Sequence, residues 1–447
     1  MWQQCPMPAA AIPTMTGMGT IAAKAAGRWR AHAVALSLAG ALGLTGALAG
    51  CGLLAEQNGT PPQTAGSSQP STARPDTAQP TGTPSAGAAP TPVPTPGKGL
   101  ACPVLRCTSV LVTGDMLVHT QLWQQAQQDA AAAGSPGLDF VPLLEGQRRY
   151  ISRSDLAICH QETPVAGPEG PFSAYPSFNV PPQIIAASKA VGYQACTTAS
   201  NHTIDRGTDG LLRTLDALDA AGLKHTGSYR TETESQGILI LQTAAAKVAV
   251  IQATYGLNGL SPEYPWQVDM LDAPAMIAKA EKARALGADI VLAAMHAGDE
   301  YASAPNAQQQ EVAHALADSG QFNMVYGHHT HSVLPIENYN GTWIVYGLGN
   351  GVTELSPWYV VNNEGLLVRA QFGQDGSGKW SVTDLSWAPS VIVRDPYRWC
   401  SVASDAPQGP CAGPEADAAT RQRTQAVVES MGAAAAGAHE LLISREP

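Results

Sequence analysis

Short apolar runs alternate with amphipathic segments through most of the chain beyond residue 100. Seven of the runs are rich in β-branched and other apolar residues, which is typical of strands buried on both faces. They cover residues 109–113, 156–158, 193–196, 248–253, 290–294, 324–326 and 342–346. Helical patterns cover residues 208–221 and 273–286, and each ends before a glycine suited to a helix C-cap, Gly222 and Gly287. This alternation predicts an α/β fold built in layers.

The pattern changes towards the end of the chain. The run 365–372, together with the strand at Thr342, is predicted to form later strands that pair antiparallel. Residues 396–413 are predicted to be a loop closed by a disulfide, and the alanine-rich residues 416–442 an appended helix. We therefore predict one large domain over residues 101–395, long enough to bury a core of its own, and a C-terminal region over residues 396–447.

The first 50 residues are predicted to be an export signal. Lys24, Arg28 and Arg30 precede an uncharged stretch rich in Leu and Ala that ends in Leu48-Ala-Gly-Cys51. Such an arrangement is typical of a secretory signal, and Leu-Ala-Gly-Cys resembles a bacterial lipobox. A plain transmembrane anchor is the alternative, but the apolar stretch is short for a span of about 20 residues. We predict a signal peptide over residues 1–50, translated from Met1 or Met18, and a lipidated Cys51 that holds the exported chain at the cell membrane.

The mature chain is predicted to begin with a disordered tether, residues 51–100. From Asn58 to Leu100 it consists almost wholly of Pro, Thr, Ser, Ala, Gly and Gln, which cannot bury enough apolar surface to offset the entropy of ordering. The signal carries three positive charges and no negative one, so its removal changes the formal net charge from −11 to −14. Nucleic-acid binding depends on cationic side chains that neutralise phosphates, and an acidic chain of this kind argues against it.

Six cysteines remain beyond the signal and Cys51, and an even number outside the cytoplasm suggests disulfides. Six cysteines allow 15 pairings. Cys102 with Cys107 and Cys400 with Cys411 are close neighbours in the sequence, which leaves Cys159 with Cys196. The alternative is that some of these cysteines are buried free thiols.

Polar residues cluster where the predicted strands end. In open α/β sheets, ligands bind outside the carboxyl ends of the strands. Carboxylate, amide and neutral imidazole groups together suit divalent Mn, Fe, Zn or Mg. The residues with these groups, which follow five different strands, are Asp115, Glu162, Asn201, His202, His296, His328, His329 and His331. The sequence therefore predicts a divalent-metal site at this edge of the fold.

Six ordered motifs give these residues a family resemblance. They are Gly114-Asp115, Gln161-Glu-Thr-Pro164, Ala199-Ser-Asn-His-Thr-Ile-Asp-Arg-Gly207, His296-Ala-Gly-Asp-Glu-Tyr301, Gly327-His-His-Thr-His331 and Tyr346-Gly-Leu-Gly-Asn350. In order and spacing they resemble the CapA family of capsule or poly-γ-glutamate synthesis proteins, within the calcineurin-like metallophosphatase superfamily. The resemblance runs from about residue 109 to about residue 350 and covers neither the signal and tether nor the C-terminal region.

The resemblance implies a four-layer αββα sandwich with the site at the strand ends. It also implies that His202 is an acid or electrostatic stabiliser rather than a ligand, and that Asp205 orients it. Of His328 and His329, the spacing to His331 favours His329 as the ligand. The metal ligands implied by the resemblance are Asp115, Glu162, Asn201, His296, His329 and His331.

Two positions depart from the wider phosphatase pattern. Leu117 stands where those enzymes carry the histidine of Asp-x-His, and the second carboxylate is Glu162 rather than Asp. These differences argue against a complete two-metal centre. Within the CapA pattern, His160 stands where asparagine is usual and Ala297 replaces a usual tryptophan, so we expect a different rim to the site.

Two classes of function fit these motifs. In the first, the protein is a membrane-anchored component of capsule or poly-γ-glutamate type polymer synthesis or export, whose partners are synthase or exporter subunits and the polyanionic polymer. In the second, it is a metal-dependent hydrolase of phosphoesters or cell-wall polymers, in which His202 protonates the leaving group. A solute-binding lipoprotein is a weaker third alternative, because it needs no histidine-rich site. Whether the protein is catalytic stays open.

Overall fold

The computed structural model describes residue 98, residues 101–355 and residues 359–446. The predicted signal peptide, the lipidation site at Cys51 and the predicted tether apart from Lys98 lie outside the described residues. Among the helices in the described ranges, none has both the length and the apolar character needed to cross a membrane.

Strands and helices alternate through the first three quarters of the described chain. The strands are β1 (Arg106–Met116), β2 (Leu156–Gln161), β3 (Ala195–Thr197), β4 (Lys224–Thr226), β5 (Leu239–Gln242), β6 (Lys247–Thr254), β7 (Ile290–His296), β8 (Met324–His328), β9 (Ile336–Tyr339), β10 (Thr342–Val345), β11 (Asn350–Val352), β12 (Glu364–Gln374), β13 (Trp380–Val393), β14 (Arg398–Ser401) and β15 (His439–Glu440). The α-helices are α1 (Thr120–Ala132), α2 (Val141–Ile151), α3 (Gln183–Val191), α4 (Gly207–Ala220), α5 (Glu232–Ser235), α6 (Ala273–Ala285), α7 (Ala307–Asp318) and α8 (Pro414–Val428). Short 3₁₀ turns cover Pro265–Gln267, Val360–Asn363, Glu429–Met431 and Ile443–Arg445.

The described strands form two mixed sheets. The larger sheet has the order β14-β13-β12-β1-β2-β3-β4, with β11 beside β1 and β15 beside β13. The smaller sheet has the order β5-β6-β7-β8-β10-β9. In the larger sheet β1 to β4 are parallel, with β4 at one edge and the antiparallel strands β12, β13 and β14 at the other. In the smaller sheet β6, β7, β8 and β10 are parallel, and the antiparallel strands β5 and β9 form the edges.

Alternating residues of β1 show how the layers are built. Val110 and Val112 pack into an apolar core shared with Val248, Ile290 and other residues of the smaller sheet. Leu111, which lies between them and faces the other way, packs against helical residues of α1 to α4. A third core joins the outer face of the smaller sheet to α6 and α7. The layers therefore run helix, sheet, sheet, helix, which confirms the four-layer αββα sandwich that the resemblance implied.

The predicted secondary structure is confirmed at the centre of both sheets. All seven predicted strands are present, and the helices predicted over 208–221 and 273–286 are α4 and α6. Gly222 and Gly287 follow these helices with φ of 69° and 88°, the left-handed conformation that glycine adopts at low cost. The antiparallel prediction holds for 365–372, which lies in β12 between β1 and β13. The strand at Thr342 is instead in the other sheet, parallel to β8 and antiparallel to β9.

The C-terminal region adds two strands to the larger sheet, where the sequence pattern predicted only a loop and a helix. Residues 396–413, predicted as a loop, contain β14, which pairs antiparallel with β13. The predicted helix over 416–442 is wrong at its C-terminal end, because α8 ends at Val428 and Gly432 adopts a left-handed φ of 83°. Beyond that turn the chain pairs β15 with β13.

All three predicted disulfides are confirmed. Cys102 bonds Cys107, Cys400 bonds Cys411, and Cys159 bonds Cys196. Cys159 and Cys196 are direct partners in the register of β2 and β3. Disulfides persist in oxidising compartments, so these bonds fit an extracytoplasmic protein.

Candidate metal centre

The parallel strands of both sheets deliver polar side chains to one edge of the sandwich. Asp115 lies near the end of β1, and Glu162 directly follows β2. Asn201 and His202 lie in the turn after β3. From the smaller sheet, His296 ends β7, and residues 327–331, named the histidine turn, span the end of β8 and the residues that follow it. The fold thus brings together residues that are more than two hundred positions apart in the sequence.

Asp115 is the most connected side chain of the site and is fully buried. Its Oδ1 accepts a hydrogen bond from His328 Nδ1 at 2.7 Å, and its Oδ2 accepts one from the backbone N–H of His329 at 3.0 Å. His331 Nδ1 lies 3.4 Å from the same Oδ2. One carboxylate therefore fixes the position of the whole histidine turn.

The histidine turn has an unusual backbone. His329 and His331 both adopt left-handed conformations, with φ of 87° and 50°. Such conformations cost free energy for residues other than glycine and persist where the surroundings impose them, often at functional sites. The turn starts at Gly327, where a Cβ atom would overlap the backbone carbonyl of Tyr346. Tight packing at Gly327 and the hydrogen bond to Asp115 together hold the turn in place.

Glu162 is buried with both carboxylate oxygens lacking a hydrogen-bond partner among the described residues. His331 lies beside it, with Nε2 3.7 Å from Glu162 Oε1. Burial raises the pKa of the Glu162 carboxyl well above its ordinary value, and the carboxylates of Asp115 and Glu300 raise it further. A buried carboxylate without partners is costly unless a cation lies against it.

His296 links the two sheets through its ring nitrogens. Its Nε2 lies 2.8 Å from Asn201 Oδ1, and its Nδ1 lies 3.0 Å from His160 Nε2. The Asn201 amide is oriented by Asn258, whose Oδ1 accepts a hydrogen bond from Asn201 Nδ2 at 3.2 Å. The ring of His329 lies 4.9 Å from that of His296, so the histidine turn and β7 face the same space.

His202 and Asp205 form a pair beside this cluster. Their Nδ1 and Oδ2 atoms are 2.8 Å apart, and the same Asp205 oxygen accepts the backbone N–H of Phe178. The Phe178 ring contacts the His202 ring edge-on at 4.7 Å. Asp205 accepts the hydrogen bond from His202 Nδ1. The other ring nitrogen, His202 Nε2, is therefore available to react with a substrate. This is the contact that the resemblance implied for the pair.

Burial favours the neutral form of His296, His328, His329 and His331. It lowers the pKa of His328 to about 3, and burial together with neighbouring histidines lowers the pKa of His329 to about 3. Burial likewise lowers the pKa of His296 well below its ordinary value and that of His331 by less, since Asp115 opposes the shift at His331. Neutral imidazole is the form that binds metals.

A cavity of about 330 Å³ opens beside the cluster. His202 and His331 both line it, so a molecule in the cavity would touch the predicted acid and one predicted ligand. Leu117, the residue at the position of the usual histidine, lies in its wall. The other lining residues are His119, Tyr175, Phe178, Glu300, Tyr301, Glu354 and Leu355.

The donor set fits a divalent cation. Asp115, Glu162 and His331 offer ligand atoms that lie within 4.8 Å of one another, and so do Asp115, His160 and His296. His329 Nδ1, His328 Nε2 and both Glu162 oxygens are buried without hydrogen-bond partners among the described residues. A bound ion would satisfy such atoms. The structure thus places every predicted ligand in one neighbourhood, while their coordination of a metal stays a prediction.

Three residues that contact the cluster are not among the predicted ligands or catalytic residues, although His328 was the less favoured candidate beside His329 and His160 was expected at the rim. His328 donates to Asp115, His160 packs on His328 with ring centroids 4.2 Å apart, and Asn350 Oδ1 lies 3.0 Å from His331 Nδ1. His160 and Asn350 lay within or beside recognised motifs, which was the only signal for them. Their contacts join residues of separate strands, so spacing along the chain does not indicate them.

Matches among solved structures include a calcineurin-like phosphoesterase and a 5'-nucleotidase precursor. The calcineurin-like phosphoesterase YfkN from Bacillus subtilis is 16% identical, with a TM-score of 0.42, and the match covers 73% of this chain and 98% of that one. A 5'-nucleotidase precursor from Thermus thermophilus is 14% identical, with a TM-score of 0.38, and the match covers 65% of this chain and 56% of that one.

Sequence relatives are described as capsule proteins. PGA biosynthesis protein CapA of Bacillus subtilis (strain 168) is 29% identical over 221 residues, covering 46% of this chain and 55% of that protein. Capsule biosynthesis protein CapA of Bacillus anthracis is 25% identical over 209 residues, covering 46% of this chain and 50% of that protein. The chain spans about half the length of these curated relatives. The family described as bacterial capsule synthesis protein PGA_cap matches residues 109–354, and the chain belongs to that family.

Proposed function

We propose that this protein is an envelope-anchored lipoprotein that takes part in the synthesis or export of a capsule or poly-γ-glutamate type polymer and carries a divalent-metal site. Membership of the capsule synthesis family supports the polymer role. The relatives named for capsule and PGA biosynthesis support the same class of polymer. The metal ion at the site would be Mn, Fe, Zn or Mg, which suit this mixture of oxygen and imidazole donors.

The observation that carries the metal site is the buried, unpartnered carboxylate of Glu162. It lies beside Asp115 and His331 in a set of three donors within 4.8 Å. Three acidic neighbours raise its pKa in addition to burial, so the site as folded has an excess of buried negative charge once Glu162 ionises. A divalent cation is the partner that would balance it.

The residues that would hold the metal are the six predicted ligands, Asp115, Glu162, Asn201, His296, His329 and His331. Bound there, the ion would supply Lewis acidity towards an ester or amide oxygen. The chain itself contributes His202: Asp205 accepts the hydrogen bond from its Nδ1, so that the doubly protonated ring can give the Nε2 proton to a leaving group. The cavity lined by His202 and His331 would position the bound segment of polymer.

Membrane attachment rests on the predicted lipidation of Cys51 and on the tether that follows it. The three disulfides support an exported location. Anchored in this way, the domain would work at the outer face of the membrane, where synthase or exporter subunits deliver the growing chain. Its partners would be those subunits and the polyanionic polymer.

A metal-dependent hydrolase of phosphoesters or cell-wall polymers is the second candidate. The oriented His202–Asp205 pair at the cavity wall favours it, because a purely structural metal site needs no such pair. Leu117 in place of a ligand histidine counts against an efficient two-metal enzyme. The two candidates differ in whether purified protein turns over a substrate.

The polymer role can be tested in the organism that carries the gene. Deletion of the gene should abolish or strongly reduce the surface polymer, and the wild-type gene should restore it. A Cys51→Ala gene should fail to restore it and release the protein from the membrane fraction, whereas Cys5→Ala should restore it fully. Normal polymer in the deletion strain would contradict the proposal.

The hydrolase alternative has its own test. Full-length protein, supplied in turn with each of the four metals, would be incubated with generic phosphoesters and with the isolated polymer. Activity lost in both His202→Ala and Asn201→Ala variants would support the enzyme. Stoichiometric metal without turnover would favour the assembly role.

A further inference from the structure

His160 is the fifth imidazole of the site and is fully buried. Both of its ring nitrogens have partners: Nδ1 lies 2.9 Å from Thr197 Oγ1, and Nε2 lies 3.0 Å from His296 Nδ1. Gln252 Nε2 lies 3.3 Å from the same Nδ1. His160 therefore sits directly behind His296, on the side away from Asn201.

Only two proton arrangements are open to this chain of neutral groups. In the first, His160 Nε2–H donates to His296 Nδ1, and His296 Nε2–H donates to Asn201 Oδ1. His160 Nδ1 then accepts from the Thr197 hydroxyl, with Gln252 as a weaker donor at 3.3 Å. Every polar atom in the chain has a partner in this arrangement.

In the second arrangement each ring carries its proton on the other nitrogen. His296 Nδ1–H donates to His160 Nε2, and His160 Nδ1–H donates to Thr197 Oγ1. The Thr197 hydroxyl can donate in turn to the carbonyl of Cys159, 3.3 Å away. This arrangement leaves the lone pair of His296 Nε2 facing the Asn201 carbonyl oxygen at 2.8 Å, with no proton between them.

Two acceptor atoms at such a short distance repel each other unless a cation contacts both. Adjacent ligands of a divalent ion, each bonded at about 2.0–2.1 Å, lie roughly 3 Å apart when the angle between the bonds is near 90°. The separation of 2.8 Å between His296 Nε2 and Asn201 Oδ1 is close to that value. Asn258 holds the Asn201 amide so that its oxygen, not its nitrogen, faces His296.

We propose that His160 is a positioning residue that sets the tautomer of His296, accepting its Nδ1–H when a metal binds at Nε2. The inference rests on the metal site proposed above. One proton leaves His296 Nε2 and one arrives at His160 Nδ1, so the pair of rings is neutral before and after and releases no net proton. The outer partner of this ligand is thus a neutral imidazole, where metal-binding histidines commonly use a carboxylate or a carbonyl.

Substitutions at position 160 separate this role from simple packing. Gln keeps an acceptor near the position of the His160 Nε2 atom, whereas Leu fills similar space without one. We expect His160→Leu to weaken Zn²⁺ binding by about 10-fold to 100-fold, the range typical of lost outer-shell partners. His160→Gln should stay within about threefold of the wild type, since it restores the acceptor. His225→Gln, on β4 of the same sheet, is the matched control and should leave affinity unchanged.

The direct readout is nitrogen NMR of full-length protein labelled with ¹⁵N in histidine only, before and after addition of Zn²⁺. We expect His160 Nδ1 and His296 Nδ1 both to gain a proton on binding, while His160 Nε2 loses its proton and becomes an unmetallated acceptor. An unchanged His160 tautomer would overturn the inference, as would a zinc-bound signal from His160 Nε2, which would make it a ligand.

The same affinity measurements show whether the metal site itself or only the role of His160 is wrong. If the wild type binds none of Zn²⁺, Mn²⁺, Fe²⁺ and Mg²⁺, the proposed metal site fails and the inference falls with it. If the wild type binds Zn²⁺ and His160→Leu binds it equally well, the metal site stands and only the role of His160 is overturned. Weakened binding in His160→Leu with rescue by His160→Gln supports both.

Discussion

The carboxylate of Asp115 accepts a hydrogen bond from the backbone N–H of His329, 214 residues later in the chain, with 3.0 Å between the atoms. The same carboxylate accepts a hydrogen bond from the ring of His328. A strand of the larger sheet is thereby joined to the histidine turn of the smaller sheet. The site is built across the two sheets of the sandwich, and its stability depends on that junction.

Replacement of Asp115 by alanine should destabilise the protein as well as the site. The buried N–H of His329 and the ring N–H of His328 would both lose their acceptor, and the free energy of unfolding should fall by about 3 kcal/mol. Asp216→Ala is a suitable control, because the Asp216 side chain is 70% exposed, and should change it by less than about 0.5 kcal/mol. Urea denaturation measures both. Equal stability of the two variants would show that Asp115 does not hold the turn.

The disulfide between Cys159 and Cys196 should stabilise more than the one between Cys102 and Cys107. It closes a loop with a sequence separation of 37 rather than 5, and the loss of unfolded-state entropy grows with loop length. We expect the Cys159→Ala/Cys196→Ala variant to lose about 4 kcal/mol and the Cys102→Ala/Cys107→Ala variant about 2 kcal/mol. Thermal and denaturant unfolding under oxidising conditions would measure this order, and the reverse order would contradict it.

Gly327 should not tolerate a larger side chain. A Cβ atom there would overlap the Tyr346 carbonyl, which is backbone and cannot swing aside. Gly327→Ala should cost about 2 kcal/mol through overpacking. Gly256, whose Cβ would meet open space, is the matched control, and Gly256→Ala should be neutral or slightly stabilising. Similar melting temperatures for the two variants would argue against tight packing at the start of the histidine turn.

Because His119 is buried, we predict that acid lowers the free energy of unfolding of the metal-free protein. Burial, together with the neighbouring His331 and His202, lowers its pKa to about 4. The unfolded histidine binds a proton below about pH 6.5, whereas the folded one stays neutral until about pH 4, so acidification favours the unfolded state. From this residue alone the loss of stability should reach about 2 kcal/mol at pH 5 and about 3 kcal/mol at pH 4, relative to pH 8.

The measurement is the free energy of unfolding at several pH values between 8 and 5 after removal of metals by chelation. His119→Gln cannot titrate in this range, so its stability should fall less steeply with acid than that of the wild type. His314→Gln is a control at a histidine that is only partly buried. Parallel pH profiles for wild type and His119→Gln would refute the assignment.

Much of the fold was readable from the sequence because buried parallel strands and glycine-capped helices leave local signals. The central strands and α4 with Gly222 are examples, since each depends on residues close together in the chain. The candidate ligands were found for a related reason: each directly follows or ends an apolar strand. The disulfide between Cys159 and Cys196 followed from the two closer pairs.

Other features depend on contacts that local sequence does not encode. The left-handed backbone of His329 and His331 is imposed by Asp115 and by packing at Gly327, which depend on other parts of the fold. The hydrogen bond between His160 and His296 joins two sheets. At the C-terminus, helix propensity in the alanine-rich run gave way to Gly432, where the chain turns back to pair with β13. Tertiary pairing thus overrode propensity there.

The central claim is that Asp115, Glu162 and the surrounding histidines bind a divalent metal. Its most direct test is metal analysis of full-length protein purified without added metal or chelator, alongside Glu162→Gln and the exposed control Glu415→Gln. We expect at least one equivalent of a divalent metal in the wild type and in Glu415→Gln, and at least about tenfold less in Glu162→Gln. A wild type without bound metal that also takes up none of Mn²⁺, Fe²⁺, Zn²⁺ or Mg²⁺, or a Glu162→Gln variant that retains the full amount, would contradict the claim.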